Sequence, residues 1–137
     1  MRSMVFTARL DKIEEVRTFL VDGLPNEYVS LTPSVDLIIE EFLVNVVNHA
    51  YKGQPGPLEV SLRQVDFDDW PHLAVKIMDW GPPFNPFEEA PQPDLTLSLE
   101  EKSIGGLGIH LVRHMIAHNS YSRERGANTV EVWIKRP

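Results

Sequence analysis

The sequence predicts a single α+β domain over residues 1–137, a two-layer sandwich with helices on one face of a mainly antiparallel, mixed sheet. Three observations lead to this fold class. Two stretches in the middle of the chain and two near its end alternate between apolar and polar residues and follow each other closely, as in hairpins. Three stretches carry apolar residues at helical spacing. No internal repeat and no linker divides the chain.

The first part of the chain predicts one strand and two helices. Residues 4–10 alternate and contain Phe and Thr, which favours a strand. Asp11 and Glu14 have the form of a capping box, and apolar residues follow them at helical spacing. After a predicted loop, Thr32 followed by proline begins a long helix that runs to about residue 51.

The second part predicts two hairpins separated by a helix. Residues 58–65 and 72–78 alternate like half-buried strands joined by an acidic turn. Residues 109–118 have helical periodicity. Residues 120–123 and 129–135 predict a final hairpin around a glycine.

A long irregular segment interrupts this pattern at about 82–104. It contains five prolines between positions 82 and 93 and shows no clear period. A loop of more than about 12–15 residues inside a compact domain is usually a functional lid or a disordered segment. We expect a lid over this segment.

The composition excludes several classes of protein. The chain has 13 Lys and Arg against 20 Asp and Glu, a formal net charge of −7, so we expect no direct nucleic-acid partner. It has no Cys, which excludes disulfides, thiolate metal sites and cysteine nucleophiles. No apolar stretch is long enough to cross a bilayer, and no secretory signal is visible. We therefore expect no membrane partner and a cytoplasmic location.

Three polar residues form a stripe on the long apolar helix. Glu41, Asn45 and Asn48 fall on one side of the predicted helix, and apolar residues cover much of the rest. A solvent-facing stripe of an amphipathic helix is one explanation. A polar ligand or metal site is the other, because buried polar side chains need partners.

A carboxylate is predicted at the end of the strand over 72–78. Asp79 follows this apolar strand, and Gly81 lets the backbone be approached closely. Such a carboxylate can accept a hydrogen bond from an exocyclic amine such as that of adenine. An ordinary Asx turn at the strand end is the alternative interpretation.

Three glycines lie at the beginning of the last helix. Gly105, Gly106 and Gly108 leave backbone amides uncovered at a helix N-terminus, where anions such as phosphate bind. A plain glycine-rich turn would have the same composition. The motif is not a Walker loop, because no Gly-Lys-Ser/Thr follows these glycines.

In this order the three motifs resemble the N, G1 and G2 boxes of the GHKL (Bergerat-fold) ATPases. Glu41 four residues before Asn45, and Gly-Pro-Pro-Phe-Asn-Pro after Asp79, make the chain most similar to the stand-alone anti-sigma-factor serine/threonine kinases. The resemblance covers essentially the whole chain.

The resemblance implies a role for each residue at the adenine and metal end of the site. Asn45 is expected to be the Mg²⁺ ligand that bridges to the ATP phosphates, and Glu41 the general base. Asp79 is expected to bind adenine, with Gly81 leaving room for the ring. Thr129 is expected to join Asp79 at the adenine edge.

The resemblance also implies contacts to the rest of the nucleotide. Gly105, Gly106 and Gly108 are expected to hold the phosphates and to act as the hinge of the lid. Lys102 is expected to contact the γ-phosphate from the lid, as an Arg often does in relatives. Asn48 is also expected to contact the nucleotide.

The implied function is an ATP-binding anti-sigma regulatory factor. It would phosphorylate a STAS-type anti-anti-sigma antagonist in a partner-switching system, with a sigma factor as a further partner, and would act as a homodimer. A non-catalytic ATP-binding regulator of the same fold is the alternative. A detached histidine-kinase catalytic module fits less well, because such modules usually have Asn at the position of Glu41.

Overall fold

The computed structural model describes residues 2–89 and 106–137. Within these residues the chain forms the strands and α-helices β1 (Arg2–Thr7), α1 (Ile13–Asp22), α2 (Thr32–Asn45), β2 (Pro57–Phe67), β3 (Trp70–Asp79), α3 (Pro86–Glu89), α4 (Gly106–Met115), β4 (His118–Glu124) and β5 (Ala127–Lys135). Short 3₁₀ turns precede α1 at Leu10–Lys12 and α2 at Asn26–Leu31.

The strands form one sheet in the order β1-β2-β3-β5-β4, and every neighbouring pair among them is antiparallel. Asp68 and Asp69, both with positive φ, join β2 to β3, and Arg125 and Gly126 join β4 to β5 in the same way. Two-residue hairpin turns with positive φ at both positions match the natural twist of the strands. Both predicted hairpins and the predicted α+β sandwich are confirmed, but the described sheet is antiparallel at every pairing and not mixed.

The helices cover one face of this sheet, and α2 lies in the centre of their layer. Its side chains Val35, Ile38, Ile39, Phe42 and Leu43 are buried, and α1 and α4 both pack against it. A helix that is covered on several sides is apolar around most of its circumference. No helix in the described part of the chain has the length and apolar character needed to span a membrane.

The long helix predicted over 32–51 is confirmed, but its last turn is wider than an α-helical turn. Over Val46–Ala50 the helix is π-helical, and the Tyr51 N–H donates to the Val46 carbonyl five residues earlier at 2.9 Å. Gly53, with a φ of 83°, follows the helix end. The wide turn changes the direction of the side chains that follow Asn45.

Two helix ends differ from the prediction. The capping box predicted at Asp11 is wrong, because the 3₁₀ turn delays the start of α1 to Ile13 and the Asp11 carboxylate pairs with Arg9 instead. The last helix ends at Met115, and His118, predicted as its last residue, is the first residue of β4.

Residues 90–105 lie outside the described part of the chain. The lid predicted over 82–104 is therefore described only up to residue 89. Lys102 and Gly105 also lie outside the described residues.

Candidate functional site

A small cavity lies between α2 and the adjoining ends of β3 and β5. It measures about 10 Å³ and is lined by Phe42, Asn45, Val46, Ile77, Asp79, Phe84, Pro86 and Val130. This volume is at the lower limit for one water molecule, whereas sites for small organic ligands measure roughly 300–1,000 Å³. A ligand larger than water therefore enters only when lining side chains such as that of Phe84 move aside.

Asp79 is the buried carboxylate of this cavity. It is the last residue of β3 and is 5% exposed. Its Oδ1 accepts hydrogen bonds from the Gly81 N–H and from Asn128 Nδ2, both at 2.9 Å. Burial raises the pKa of Asp79, while these two hydrogen bonds and the charge of Arg123 act to lower it. The predicted carboxylate at the sheet edge is therefore held by two donors on the same oxygen.

Gly81 brings the loop after β3 against the end of the long helix. A Cβ at this position would lie 2.7 Å from the carbonyl oxygen of Ala50, and both groups are backbone-anchored. The Tyr51 hydroxyl ties the same regions together, because it donates to the Pro57 carbonyl at 2.6 Å and accepts from the Trp80 N–H at 2.9 Å. Only glycine leaves space for this approach.

Asn128 is a site residue that the motifs did not reveal. The residue is 1% exposed. Its Nδ2 donates to Asp79 Oδ1 at 2.9 Å and to the Pro82 carbonyl at 2.8 Å. Its Oδ1 accepts from the Phe84 N–H at 3.1 Å and from the Tyr121 hydroxyl at 2.5 Å. One amide thus joins β3, β4 and the loop that borders the cavity.

Thr129 is not brought together with Asp79. In the register of the sheet Asp79 pairs with Asn128, and Thr129 pairs with Met78. Since neighbouring side chains on a strand point to opposite faces, Thr129 lies on the face away from the helices. The alternation that buries Val130 on the helix side could have identified Asn128 in the sequence.

Glu41 and Asn45 lie one turn apart on α2 and share an unusual property. Glu41 Oε2 and Asn45 Nδ2 are both buried and have no hydrogen-bond partner in the described structure. Burial raises the pKa of Glu41, and the charge of Glu40 raises it further. Asn48, predicted on the same stripe, lies in the π-helical turn and is exposed.

Gly108 places α4 directly against the Glu41 carboxyl group. A Cβ at Gly108 would fall well inside 3.0 Å of the carboxyl carbon and both carboxyl oxygens of Glu41, a separation that real Cβ atoms essentially never show. Gly106 is the first residue of α4. The first turn of this helix and Glu41 are therefore neighbours.

The segment after Gly81 folds back over the cavity. The Phe84 ring stacks on His49, with 5.1 Å between ring centroids, and the Phe87 ring packs edge-on against Phe42 at 5.6 Å. The Arg113 guanidinium donates to the Phe87 carbonyl. These contacts hold the segment against both α2 and α4 and keep the cavity small.

Comparison with known proteins identifies the family. A family model described as the histidine kinase-like ATPase domain matches residues 6–134. The serine/threonine-protein kinase BtrW of Bordetella bronchiseptica is 34% identical to this chain over 96 residues. That alignment covers 69% of this chain and 64% of BtrW, so the chain spans less than two thirds of its relative. Because the family match extends over nearly the whole sequence and includes every described site residue, this chain belongs to the histidine kinase-like ATPase domain family.

Proposed function

We propose that this chain binds ATP and transfers its terminal phosphate to a serine or threonine of another protein. The observation that carries the proposal is the pair of buried polar atoms on α2, Glu41 Oε2 and Asn45 Nδ2, that have no partner. Such atoms destabilise a folded protein unless a ligand completes their hydrogen bonds. The serine/threonine kinase name of the relative supports phosphate transfer as the reaction.

Asp79 is the residue that we propose to bind the adenine base. The two hydrogen bonds described at this carboxylate both end on Oδ1. Oδ2 is then the oxygen that accepts from the 6-amino group of adenine. The Gly81 N–H fixes Oδ1, and the lack of a side chain at Gly81 lets this loop lie against Ala50.

Asn45 fits the chemistry of a Mg²⁺ ligand. Mg²⁺ takes oxygen ligands and retains several waters. The Asn45 amide lines the cavity and is 3% exposed, and its nitrogen has no partner that would fix the orientation of the amide. A half-turn of the amide about its terminal torsion exchanges the nitrogen and the oxygen, so the oxygen can become a metal ligand. When bound, Mg²⁺ supplies neutralisation of the charge on the phosphates.

Glu41 is the residue that we propose as general base. Its carboxylate takes the proton from the substrate hydroxyl, whose oxygen forms the new bond to the γ-phosphorus. The bond between that phosphorus and the bridging oxygen breaks, and ADP leaves with the electron pair. Burial raises the pKa of Glu41, which makes its carboxylate a stronger base. The close packing of Gly108 limits the positions open to this carboxylate. We propose that the backbone amides of the first turn of α4, which begins at Gly106, bind the phosphates.

The proposed protein partner is a small STAS-domain antagonist, and the proposed role is that of an anti-sigma factor. In this role the chain binds a sigma factor until partner switching to the antagonist releases it, and the chain acts as a homodimer. Light scattering of the purified chain tests the dimer. Copurification with the STAS-domain and sigma-factor proteins encoded by neighbouring genes tests the partners.

Nucleotide binding is tested by isothermal titration calorimetry with ATP and ADP, with and without EDTA. We expect both nucleotides to bind in the presence of Mg²⁺ and Asn45→Ala to lose the Mg²⁺-dependent part of the affinity. The variant should remain folded by circular dichroism, because the substitution removes an unpartnered amide. Failure of both nucleotides to bind at millimolar concentration would contradict the proposal.

The base is tested by phosphate transfer to the STAS partner on a phosphate-affinity gel at neutral pH. Glu41→Ala should bind ATP but transfer phosphate about 10²–10⁴-fold more slowly. Glu40→Ala is the matched control, since Glu40 is the preceding carboxylate on the same helix and is exposed. Equal rates for wild type and Glu41→Ala would refute the assignment. A wild-type chain that binds ATP but transfers no phosphate would favour the non-catalytic regulator.

A further inference from the structure

We propose that Asn128 is a positioning residue that selects the nucleobase through Asp79, holding this carboxylate and the loop after it in the orientation that accepts an amino group. This inference rests on the proposed function, in which Asp79 binds adenine.

The network around Asn128 uses the full hydrogen-bonding capacity of its amide. The nitrogen donates to Asp79 Oδ1 and to the Pro82 carbonyl, at 2.9 and 2.8 Å. The oxygen accepts from the Phe84 N–H and the Tyr121 hydroxyl. Because a primary amide has two N–H donors and one oxygen with two lone pairs, no capacity is left for a base. Asn128 therefore acts on a ligand through Asp79.

The same network fixes the orientation of the amide. In the reverse orientation the amide oxygen would face the Asp79 carboxylate and the Pro82 carbonyl, and the NH₂ group would face the Phe84 N–H. Acceptors would then oppose acceptors, and donors would oppose donors. Asn128 can consequently present only its donors to Asp79, and this arrangement occupies one oxygen of the carboxylate.

Neither threonine nor aspartate at position 128 reproduces these contacts. A threonine hydroxyl has one proton and can donate to Asp79 or to Pro82, but not to both. An aspartate has nearly the shape of asparagine but no N–H, and it would place a second negative charge beside Asp79. Asn128→Asp therefore keeps the shape of the side chain and removes its donors, whereas Asn128→Thr changes the shape and keeps one donor.

The test measures how strongly the chain prefers ATP to inosine triphosphate, which carries a carbonyl oxygen in place of the 6-amino group. A hydrogen bond to a charged group is worth enough to give the wild-type chain about a ten- to hundred-fold preference for ATP. We expect the ratio of the two dissociation constants to fall to about threefold or less in Asn128→Ala and Asn128→Asp. Asn128→Thr, with one donor, should be intermediate. Thr129→Ala is the matched control, and the wild-type ratio should be unchanged in it.

The ratio distinguishes positioning from a structural role alone. If Asn128 were needed only for stability, replacing it would lower the melting temperature and weaken the binding of both nucleotides equally. The ratio of dissociation constants would then be unchanged in the variants that fold. That result, measured in Asn128→Thr if Asn128→Ala and Asn128→Asp do not fold, would overturn the inference. A wild-type chain that binds both nucleotides equally would overturn the inference together with the assignment of Asp79. An intact wild-type ratio in folded variants would overturn the role of Asn128 alone.

Discussion

Replacing Gly108 by alanine perturbs the contact between α4 and the Glu41 carboxyl group. Alanine is favoured over glycine within a helix by up to about 1 kcal/mol, so helix propensity alone predicts a more stable protein. The new Cβ, however, would fall well inside 3.0 Å of the Glu41 carboxyl atoms. To restore ordinary contacts, the carboxyl group has to withdraw by roughly 1 Å or more, a displacement large enough to reduce catalysis severely.

Gly108→Ala should affect the rate of phosphate transfer much more than the stability of the fold. Glu41 yields at the far end of a flexible side chain, and an unfavourable rotamer costs about 0.5–1.5 kcal/mol. This offsets the gain in helix propensity, so we expect the free energy of unfolding to change by less than about 0.5 kcal/mol. The rate of phosphate transfer should fall about 10²-fold, the typical effect of misplacing a reacting group by about 1 Å.

The assay is urea unfolding of the wild type, Gly108→Ala, Glu41→Ala and the double variant, with transfer measured for the first two. In the Glu41→Ala background no carboxyl group is displaced, and Gly108→Ala should then stabilise the protein by up to about 1 kcal/mol. The difference between the two backgrounds is the coupling energy of the pair. An identical effect in both backgrounds, or a wild-type transfer rate in Gly108→Ala, would refute the reasoning.

Other predictions follow from contacts around the same cavity. Gly81→Ala should lower the free energy of unfolding by about 1–3 kcal/mol in urea, because its Cβ meets backbone rather than a movable side chain; no loss would contradict the close approach. Transfer should decline on acidification at a higher pH than for an ordinary glutamate, because burial raises the pKa of Glu41 and the deprotonated form is the base; Glu40→Ala should shift the decline in the pH–rate profile to lower pH. Tyr51→Phe removes the hydroxyl that accepts from Trp80, and should cost about 1 kcal/mol of stability in urea; an unchanged midpoint would show that this hydroxyl contributes little.

Periodicity predicted the architecture well because burial on one face of a sheet imposes a strict alternation. The hairpin turns and the central helix could be placed from this pattern alone. The π-helical turn could not, because the residues of Val46–Ala50 fit an α-helical surface as well as a π-helical one. Asn48 lies in this turn and is exposed, although Glu41 and Asn45 lie in the buried layer as their pattern indicated.

The site residues contributed by β5 could be predicted only with the register of the sheet. A hydroxyl at Thr129 is a reasonable partner for Asp79 when only the chain neighbourhood is known. The pairing of Asp79 with Asn128 turns Thr129 to the other face. The contact of Gly108 with Glu41 is likewise a consequence of helix packing, which a linear motif does not contain.

The hydrogen bond between Asp79 and Asn128 joins residues 49 positions apart, and this separation has a consequence for folding. The base site cannot exist before β3 and β5 have paired, so chains that end before β5 lack it completely. On the proposed function, a nucleotide at this site binds the native state and not the unfolded chain. By mass action it would stabilise the fold by about 2.7 kcal/mol at a concentration one hundred times its dissociation constant. The cellular nucleotide pool would then contribute directly to the abundance of the folded regulator.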